Sequence, residues 1–386
     1  MPQRQLFLID SFGFIFRAYH ARARSGAPPM RTGKGVSTEA IYIFNNMLRK
    51  LRNSFHPHWI AAVFESDGPT LREQSFAEYK ANRTETPPDL LEQIPYIRKI
   101  IEAMRIPILE FAGFEADDVI GTIACRAREA GHEVIIVSSD KDMLQLVEPG
   151  ISMLNPAKDD IVYDEAKVEE FMGVKPKQVA DLLALKGDAV DNIPGAPGIG
   201  DKGARDLLLR FGSVEGALEH AAEVERKTYR ESLQNHREQI LLSKQLATIE
   251  RAVPIEFSME SAVAREPDVD ALRALYKELE FNSLARELGA AEDMRPKDYR
   301  RLESAEEVEE YLRAIPRGSL VAVAVETGAG SESLDLGGEA AVGLSWKPGE
   351  ARGIPGRHAG LLRPLLEGEE TAKAACDAKT VTLAMH

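Results

Sequence analysis

The chain has 386 residues, of which 44% are hydrophobic and 28% charged, with a net charge of −14 and two cysteines, Cys125 and Cys376. The length suits two or three domains of ordinary globular composition. No apolar run spans a membrane, the start MPQRQLFLID lacks a signal-peptide pattern, and the distant cysteines have no metal-ligand spacing, so a reduced cytoplasmic protein is the simplest expectation.

Net acidity argues mildly against a nucleic-acid partner, but the charge is uneven. Residues 1–113 carry 15 Lys and Arg against 11 Asp and Glu, and the remainder carries 33 against 51. The sum hides a local basic region, and bound divalent cations would offset clustered acids.

QLFLID (5–10) predicts a short buried strand ending on Asp10. STEAIYIFNNMLRKL (37–51) has helical apolar spacing, with Ser37 as N-cap. HWIAAVF (58–64) predicts a second buried strand. Residues 66–88 lose apolar periodicity and predict an irregular or partly helical excursion. DLLEQIPYIRKIIEAM (89–104) and EADDVIGTIACRAREAG (115–131) predict helices, the second closed by Gly131. HEVIIVSS (132–139) predicts a third buried strand. Strands alternating with helices imply an α/β fold with a mostly parallel sheet over residues 1–175. A helical region follows over 176–290, broken by the turn NIPGAPGIG. Residues 291–317 read as a charged linker that includes a helix, and 318–386 as a weaker α/β segment.

In such sheets, sites lie beyond the carboxyl ends of the strands. Asp10, Glu65 and Asp140 each fall at such an end. Magnesium and manganese take oxygen ligands, and two-metal phosphoryl chemistry needs several carboxylates together. The candidates are Asp10, Glu65, Glu115, Asp117, Asp118, Asp140, Asp142, Asp188 and Asp191. Glu115 and Asp118 share a helix face, and Asp117 lies about 100° round from Asp118. Singly, each acid has a plain reading as a helix-dipole, capping or turn residue. Their placement on one rim of one sheet raises the functional reading.

IPGAPGIGDKGA (193–204) puts Gly195, Gly198 and Gly200 before a helix that carries Lys202. Small residues admit a ligand backbone, and helix N–H groups suit phosphate. No strand closely precedes the turn, so it is not a dinucleotide fingerprint. Arg72, Tyr79, Lys80 and Arg83, with Arg17, Tyr19, Arg22 and Arg24, mix cations and rings in the way single-stranded nucleic acid requires. A solvated basic loop is the plain alternative.

LIDSFGFIFRAYHA, VSTEAIYIFNNML, FAEYKANR, EADDVIGT, SSDKDMLQLV, LKGDAVDNIPGAPGIGDKGA and, more loosely, LSKQLATI together resemble the 5′ nuclease domain of bacterial DNA polymerase I, in the flap endonuclease family. The resemblance covers residues 4–257 in one continuous order. It implies a PIN-like sheet, a helical arch and a helix–three-turn–helix that binds duplex DNA. It implies cleavage of 5′ flaps and 5′ ends, including RNA primers on DNA, by two or more Mg²⁺ or Mn²⁺ ions, with eight of the nine acids, all but Glu65, matching metal positions. Tyr79, Lys80 and Arg83 fall in the arch, where the lysine is expected to meet the scissile phosphate. Arg17, Tyr19, Arg72, Tyr79 and the glycine turn would contact DNA, with K⁺ as a candidate at the turn and a monomer as the expected state.

One position departs from the family: VFESDG places Glu65 where an Asp is usual, with Asp67 as an alternative ligand. The tail resembles the start of a 3′–5′ exonuclease-like domain in which Ala324 stands at the Asp of an Asp-x-Glu pair whose Glu is kept as Glu326, and AACDAKTVT lacks a later aspartate. Proofreading is not expected from it. The competing readings are a catalytically impaired DNA-binding fragment and a PIN-type ribonuclease. The second leaves the glycine turn unexplained.

Overall fold

The computed structural model describes residues 4–23, 29–158, 160–288, 298–326, 341–368 and 370–375. Two units divide the chain, Met1–Gly289 and Ala290–His386.

The first unit is built on strands β1 (Gln5–Asp10), β2 (Trp59–Val63), β3 (Ile108–Leu109), β4 (Glu133–Val137), β5 (Ile151–Asn155) and β6 (Ile161–Tyr163). Their order is β3-β2-β1-β4-β5-β6. All neighbours are parallel except β5 and β6. The strands β2 and β4 flank β1, so strand order reverses direction there, which is where α/β sheets open a crevice. Alternate residues of β1 point to opposite faces: Leu6 and Leu8 join one core, Phe7 and Ile9 the other. A sheet buried on both sides explains the near-continuous apolar strands seen in the sequence.

Helices α1 (Ser11–Ala23), α2 (Glu39–Phe55), α3 (Leu71–Ser75), α4 (Pro88–Leu91), α5 (Ile94–Ala103) and α6 (Ala116–Glu129) come from the sheet half. Then follow α7 (Glu165–Met172), α8 (Val179–Lys186), α9 (Asp201–Phe211), α10 (Val214–Glu219), α11 (Lys227–Asn235), α12 (Arg237–Ala247), α13 (Val269–Glu278) and α14 (Asn282–Glu287). The cores of α2 and α5 continue into Leu272, Tyr276 and Leu284 of α13 and α14, so the end of the helical region returns to the sheet.

Three local differences from the sequence reading have physical causes. The α2 N-cap is Thr38, not Ser37. The helix expected over 89–104 is split at Glu92–Gln93, because Pro95 lacks the N–H a continuing helix needs. Gln93 instead caps α2, its Oε1 accepting from the N–H groups of Ala40 at 2.9 Å and Ile41 at 3.3 Å. The segment expected as an arch holds only the five-residue α3, stabilised by the reciprocal Thr70–Glu73 capping box, followed by turns.

The second unit contains β7 (Asp298–Arg301), α15 (Ala305–Ala314), β8 (Leu320–Glu326), β9 (Ala341–Ser345), β10 (Glu350–Pro355), α16 (Arg363–Glu367) and β11 (Ala372–Ala375), in the sheet order β11-β8-β9-β10-β7. The stretch read from sequence as a linker plus a helix holds the helix α15 and, beyond that reading, the strand β7. The strand β7 pairs with β10, and Val308 and Tyr311 of α15 sit in this unit's core. Among the described residues, no helix is long and apolar enough to cross a membrane.

Candidate active site

Asp10 closes β1 and is 7% exposed. Its Oδ1 accepts from the Gly13 N–H at 2.9 Å, and its Oδ2 from the Ser138 hydroxyl, just past β4, at 2.7 Å. A Cβ on residue 13 would stand 2.3 Å from Asp10 Oδ2, so only glycine leaves room for this carboxylate. Gly13 and Ser138 were not singled out from sequence. Both sit inside the quoted motifs, and the signal was their place beside the strand ends.

Glu65 follows β2 and accepts from the Ala116 N–H at 3.2 Å, the first residue of α6. Glu115 is the N-cap of that helix and Asp117 lies in its first turn, where the helix dipole favours negative charge. The electrostatics join these groups. Burial raises the Asp117 carboxyl well above its usual range, and Asp140, Asp10 and Glu115 raise it further. Asp10 is raised by burial and by Asp140. Burial and then Glu115 lift Glu65 to about 7. Asp10, Glu65, Glu115, Asp117 and Asp140 therefore form one interacting group at the carboxyl end of the sheet, with Asp10 and Glu115 buried, Glu65 and Asp117 half-buried and Asp140 exposed. Asp67, the alternative to Glu65, is exposed.

A second group adjoins it through Asp140, whose charge, after burial, helps lift Asp142 to about 6. Lys141 bonds Asp142 at 3.0 Å and Asp188 at 2.7 Å. Burial pulls Asp188 upward, but Lys141 and nearby backbone N–H groups carry it below the usual carboxylate range. Asp191 pairs with Arg83 at 2.5 Å.

Cations from the excursion enter the rim. Lys80 Nζ donates to Glu115 Oε1 at 2.6 Å, and the Tyr79 hydroxyl donates to Oε2 at 3.3 Å. Lys80 has left-handed φ of 57°, which costs about 1–2 kcal/mol for a side-chain-bearing residue. The segment is held by the Lys80 N–H to Asp191 O at 3.0 Å, Asn82 Nδ2 to Ala189 O at 2.6 Å and Asn192 Nδ2 to Glu78 O at 2.7 Å.

Other predicted positions are engaged differently. Tyr79 is 4% exposed and belongs to the core, so its ring is not presented for base stacking. Asp118 and Arg72 bond each other in bidentate fashion at 2.6 and 2.7 Å, away from open solvent. The Tyr19 hydroxyl donates to Asp89 at 3.0 Å. Arg17 Nη1 is buried with no hydrogen-bond partner among the described residues. The Arg22 side chain and Arg24 lie outside the described residues, as do the Glu326 side chain and residues 376–382 of the tail motif.

The glycine turn follows directly on the Asp188–Asp191 loop. Gly195 has φ of 67°, donates its N–H to Ser243 Oγ at 3.0 Å and accepts from Gln239 at 2.8 Å. Gly200 is the N-cap of α9, and Lys202 is exposed in its first turn.

Among the described residues, no three Asp, Glu, His or Cys side chains stand ready-made as a metal cage. The donor chemistry nevertheless suits a hard divalent cation, since every candidate ligand is a carboxylate oxygen. Glu65, Asp117, Asp10 and Asp142 all sit above their usual range, first because desolvation disfavours the charged form and then because like charges adjoin them; Lys80 opposes this at Glu65 and Asp117, and Lys141 at Asp142. Because the Glu65 value is raised from 4.5, its contribution favours the fold below pH 4.5 and is lost as pH rises through about 7. In EDTA, Glu65→Gln should flatten the fall in stability between pH 4.5 and 7 by up to about 3 kcal/mol, read from urea midpoints. An unchanged slope would mean that this carboxylate is solvated.

Residues 5–173 match the family model of the 5′-3′ exonuclease N-terminal resolvase-like domain, and residues 174–270 match that of the 5′-3′ exonuclease C-terminal SAM fold. The 5′-3′ exonuclease of Aquifex aeolicus is 37% identical over 285 residues, covering 74% of this chain and 95% of that protein. The chain belongs to the 5′-3′ exonuclease family. DNA polymerase I of Pseudomonas aeruginosa is 36% identical over 414 residues, covering 98% of this chain and 44% of that protein. For DNA polymerase I of Bacillus caldotenax the figures are 38% over 329 residues, 84% and 37%. The chain thus spans less than half of the length of these polymerases, 37% and 44%. The fold is that of a bacteriophage T5 5′-exonuclease with zinc bound, at TM-score 0.53, 21% identity and coverage of 74% of this chain and 98% of that one. A T5 flap endonuclease in a pseudo-enzyme–product complex with DNA and metal ions gives TM-score 0.53 and 21% identity over 74% of this chain and 99% of that one. The mixed α/β, mostly parallel sheet followed by a helical domain is therefore the architecture of this exonuclease family.

Proposed function

We propose that the chain is a structure-specific 5′ nuclease that hydrolyses phosphodiester bonds at 5′ flaps and 5′ ends of DNA, RNA primers included. The observation that carries this reading is the group of buried and half-buried, mutually repelling carboxylates at the carboxyl end of the sheet, in a chain of the 5′-3′ exonuclease family. Asp10, Glu65, Glu115, Asp117 and Asp140 would hold one Mg²⁺ or Mn²⁺, and Asp140, Asp142, Asp188 and Asp191 a second. Bound there, the ions would activate water and offset charge on the departing oxygen. Lys80 can exchange its bond to Glu115 for a phosphate oxygen, and Arg83 its bond to Asp191, so both cations are poised for the scissile phosphate. Arg17, with an unpartnered buried N–H, and Lys202, beside the α9 N-terminus, would hold phosphates on either side. The glycine turn would fix the duplex, with K⁺ as a candidate ion there. The protein would act as a monomer in the cytoplasm.

The second unit would be a 3′–5′ exonuclease-like domain. Support comes from the alignment with a polymerase over 98% of the chain. Ala324 in β8 offers no ligand, so no proofreading is expected from it.

An impaired DNA-binding relic is favoured by one observation, Glu65 at the family's usual Asp position. Offering equal amounts of 5′-flap DNA, blunt duplex and single-stranded RNA separates the readings. The nuclease reading expects cleavage near the flap junction. Tight flap binding without product would support the relic, and preference for the RNA would support a PIN-type ribonuclease.

A further inference from the structure

Asp117 and Asp118 are neighbours in sequence, and EADD gives no reason to treat them differently. Asp117 is held among like charges. Asp118 is 1% exposed and fully engaged. Its Oδ2 accepts from Arg72 Nη1 at 2.6 Å and from the Glu115 N–H at 3.1 Å; its Oδ1 accepts from Arg72 Nη2 at 2.7 Å and from the Glu250 N–H at 2.8 Å. A carboxylate offers about four acceptor directions, and all are used. Ligating an ion would break a buried bidentate pair, leaving a guanidinium uncompensated.

Arg72 reaches in two further directions. Nη2 donates to Thr248 O at 2.6 Å, and Nη1 lies 3.3 Å from Glu115 Oε2, the carboxylate that also takes Lys80. One pair thus ties α3, the N-terminus of α6 and the segment after α12 to a rim carboxylate.

We infer that Asp118 is not a metal ligand but a positioning residue, which through Arg72 fixes the Glu115 carboxylate and links it to the chain that leaves the helical domain. The inference rests on the nuclease reading for what Glu115 does, and it removes Asp118 from the metal set and Arg72 from the exposed DNA contacts. The two adjacent acids divide the work, Asp117 on the rim and Asp118 on its support.

The test counts bound Mn²⁺ by calorimetric titration and measures kcat and KM on flap DNA for the parent, Asp118→Asn, Arg72→Ala, Asp118→Ala and the double Arg72→Ala/Asp118→Ala. The expected result is an unchanged number of ions in every variant. The fall in kcat should be about 10–100-fold, the usual cost of losing a residue that orients a ligand. The double variant should be within about threefold of Arg72→Ala, because the two act as a unit. An ion lost in Asp118→Asn, or additive losses in the double variant, would overturn the inference. Should Asp118→Asn fail to fold, Arg72→Met with Asp118→Leu replaces the pair by apolar groups of similar size and decides through the same ion count. A parent that neither binds Mn²⁺ nor cleaves overturns the nuclease reading and this inference with it. A parent that does both, with one ion missing in the variant, overturns this inference alone.

Discussion

Asp117→Asn should lower flap cleavage by roughly 10³-fold or more while raising the melting temperature of the metal-free protein. The two effects have one cause. Burial and the charges of Asp140, Asp10 and Glu115 all disfavour the ionised Asp117 side chain, and Lys80 opposes them only in part. An amide of the same shape removes that repulsion, so the EDTA-treated protein gains stability, read as a shift of about 2 °C or more. The same amide offers a hard cation a weaker oxygen without charge. Losing several kcal/mol of charge stabilisation corresponds to about three decades in rate. The trade of stability for activity is common where a site is built from like charges. Melting curves in EDTA and single-turnover cleavage in Mg²⁺ check both halves. A variant that loses activity and also melts lower would show that Asp117 is a structural residue, and the rim would lose its central member.

Gly195→Ala should destabilise the first unit by about 3 kcal/mol or more, whereas Gly198→Ala should cost only about 1–2 kcal/mol. Both glycines have left-handed φ, 67° and 78°. The difference is what surrounds them. A Cβ on residue 195 would lie 2.4 Å from Gly187 N and 2.7 Å from Gly187 Cα, atoms of main chain that cannot rotate aside. A Cβ on residue 198 would meet nothing within 4 Å. The first substitution must therefore push apart the two arms of the turn, disturbing the Gly195 bonds to Ser243 and Gln239 and the Asp188–Ile193 pairing beside them. DNA binding should fall with it. Urea midpoints of the two variants decide the matter, and equal costs would mean that close main-chain approach is not why the turn is glycine-rich.

The placement of the rim could be read from the sequence because it follows from a general property of α/β sheets. Apolar runs that end abruptly on Asp10 or just before Glu65 and Asp140 mark strand ends, and strand ends gather on one side of a parallel sheet. The supporting residues were less visible. Gly13 matters only because Asp10 folds back over it, and Ser138 only because β4 lies beside β1, so neither role exists before the strand order is known. The split between Asp117 and Asp118 depends on Arg72 and Glu250, which arrive from distant segments. Tyr79 reads as a ring for stacking when only its basic neighbours are considered, but tertiary packing buries it. Short strands such as Ile108–Leu109 carry too few residues to show a period.

The central claim is that the carboxylates at the carboxyl end of the sheet hold divalent ions that cleave DNA at a 5′ flap. The most direct measurement is to incubate this chain with 5′-flap DNA in Mg²⁺, then repeat with EDTA added before the substrate. The account predicts a short product cut near the junction of single strand and duplex, absent with EDTA and restored by excess Mg²⁺. Flap binding with no product under any Mg²⁺ or Mn²⁺ concentration, or a product that persists in EDTA, would contradict it.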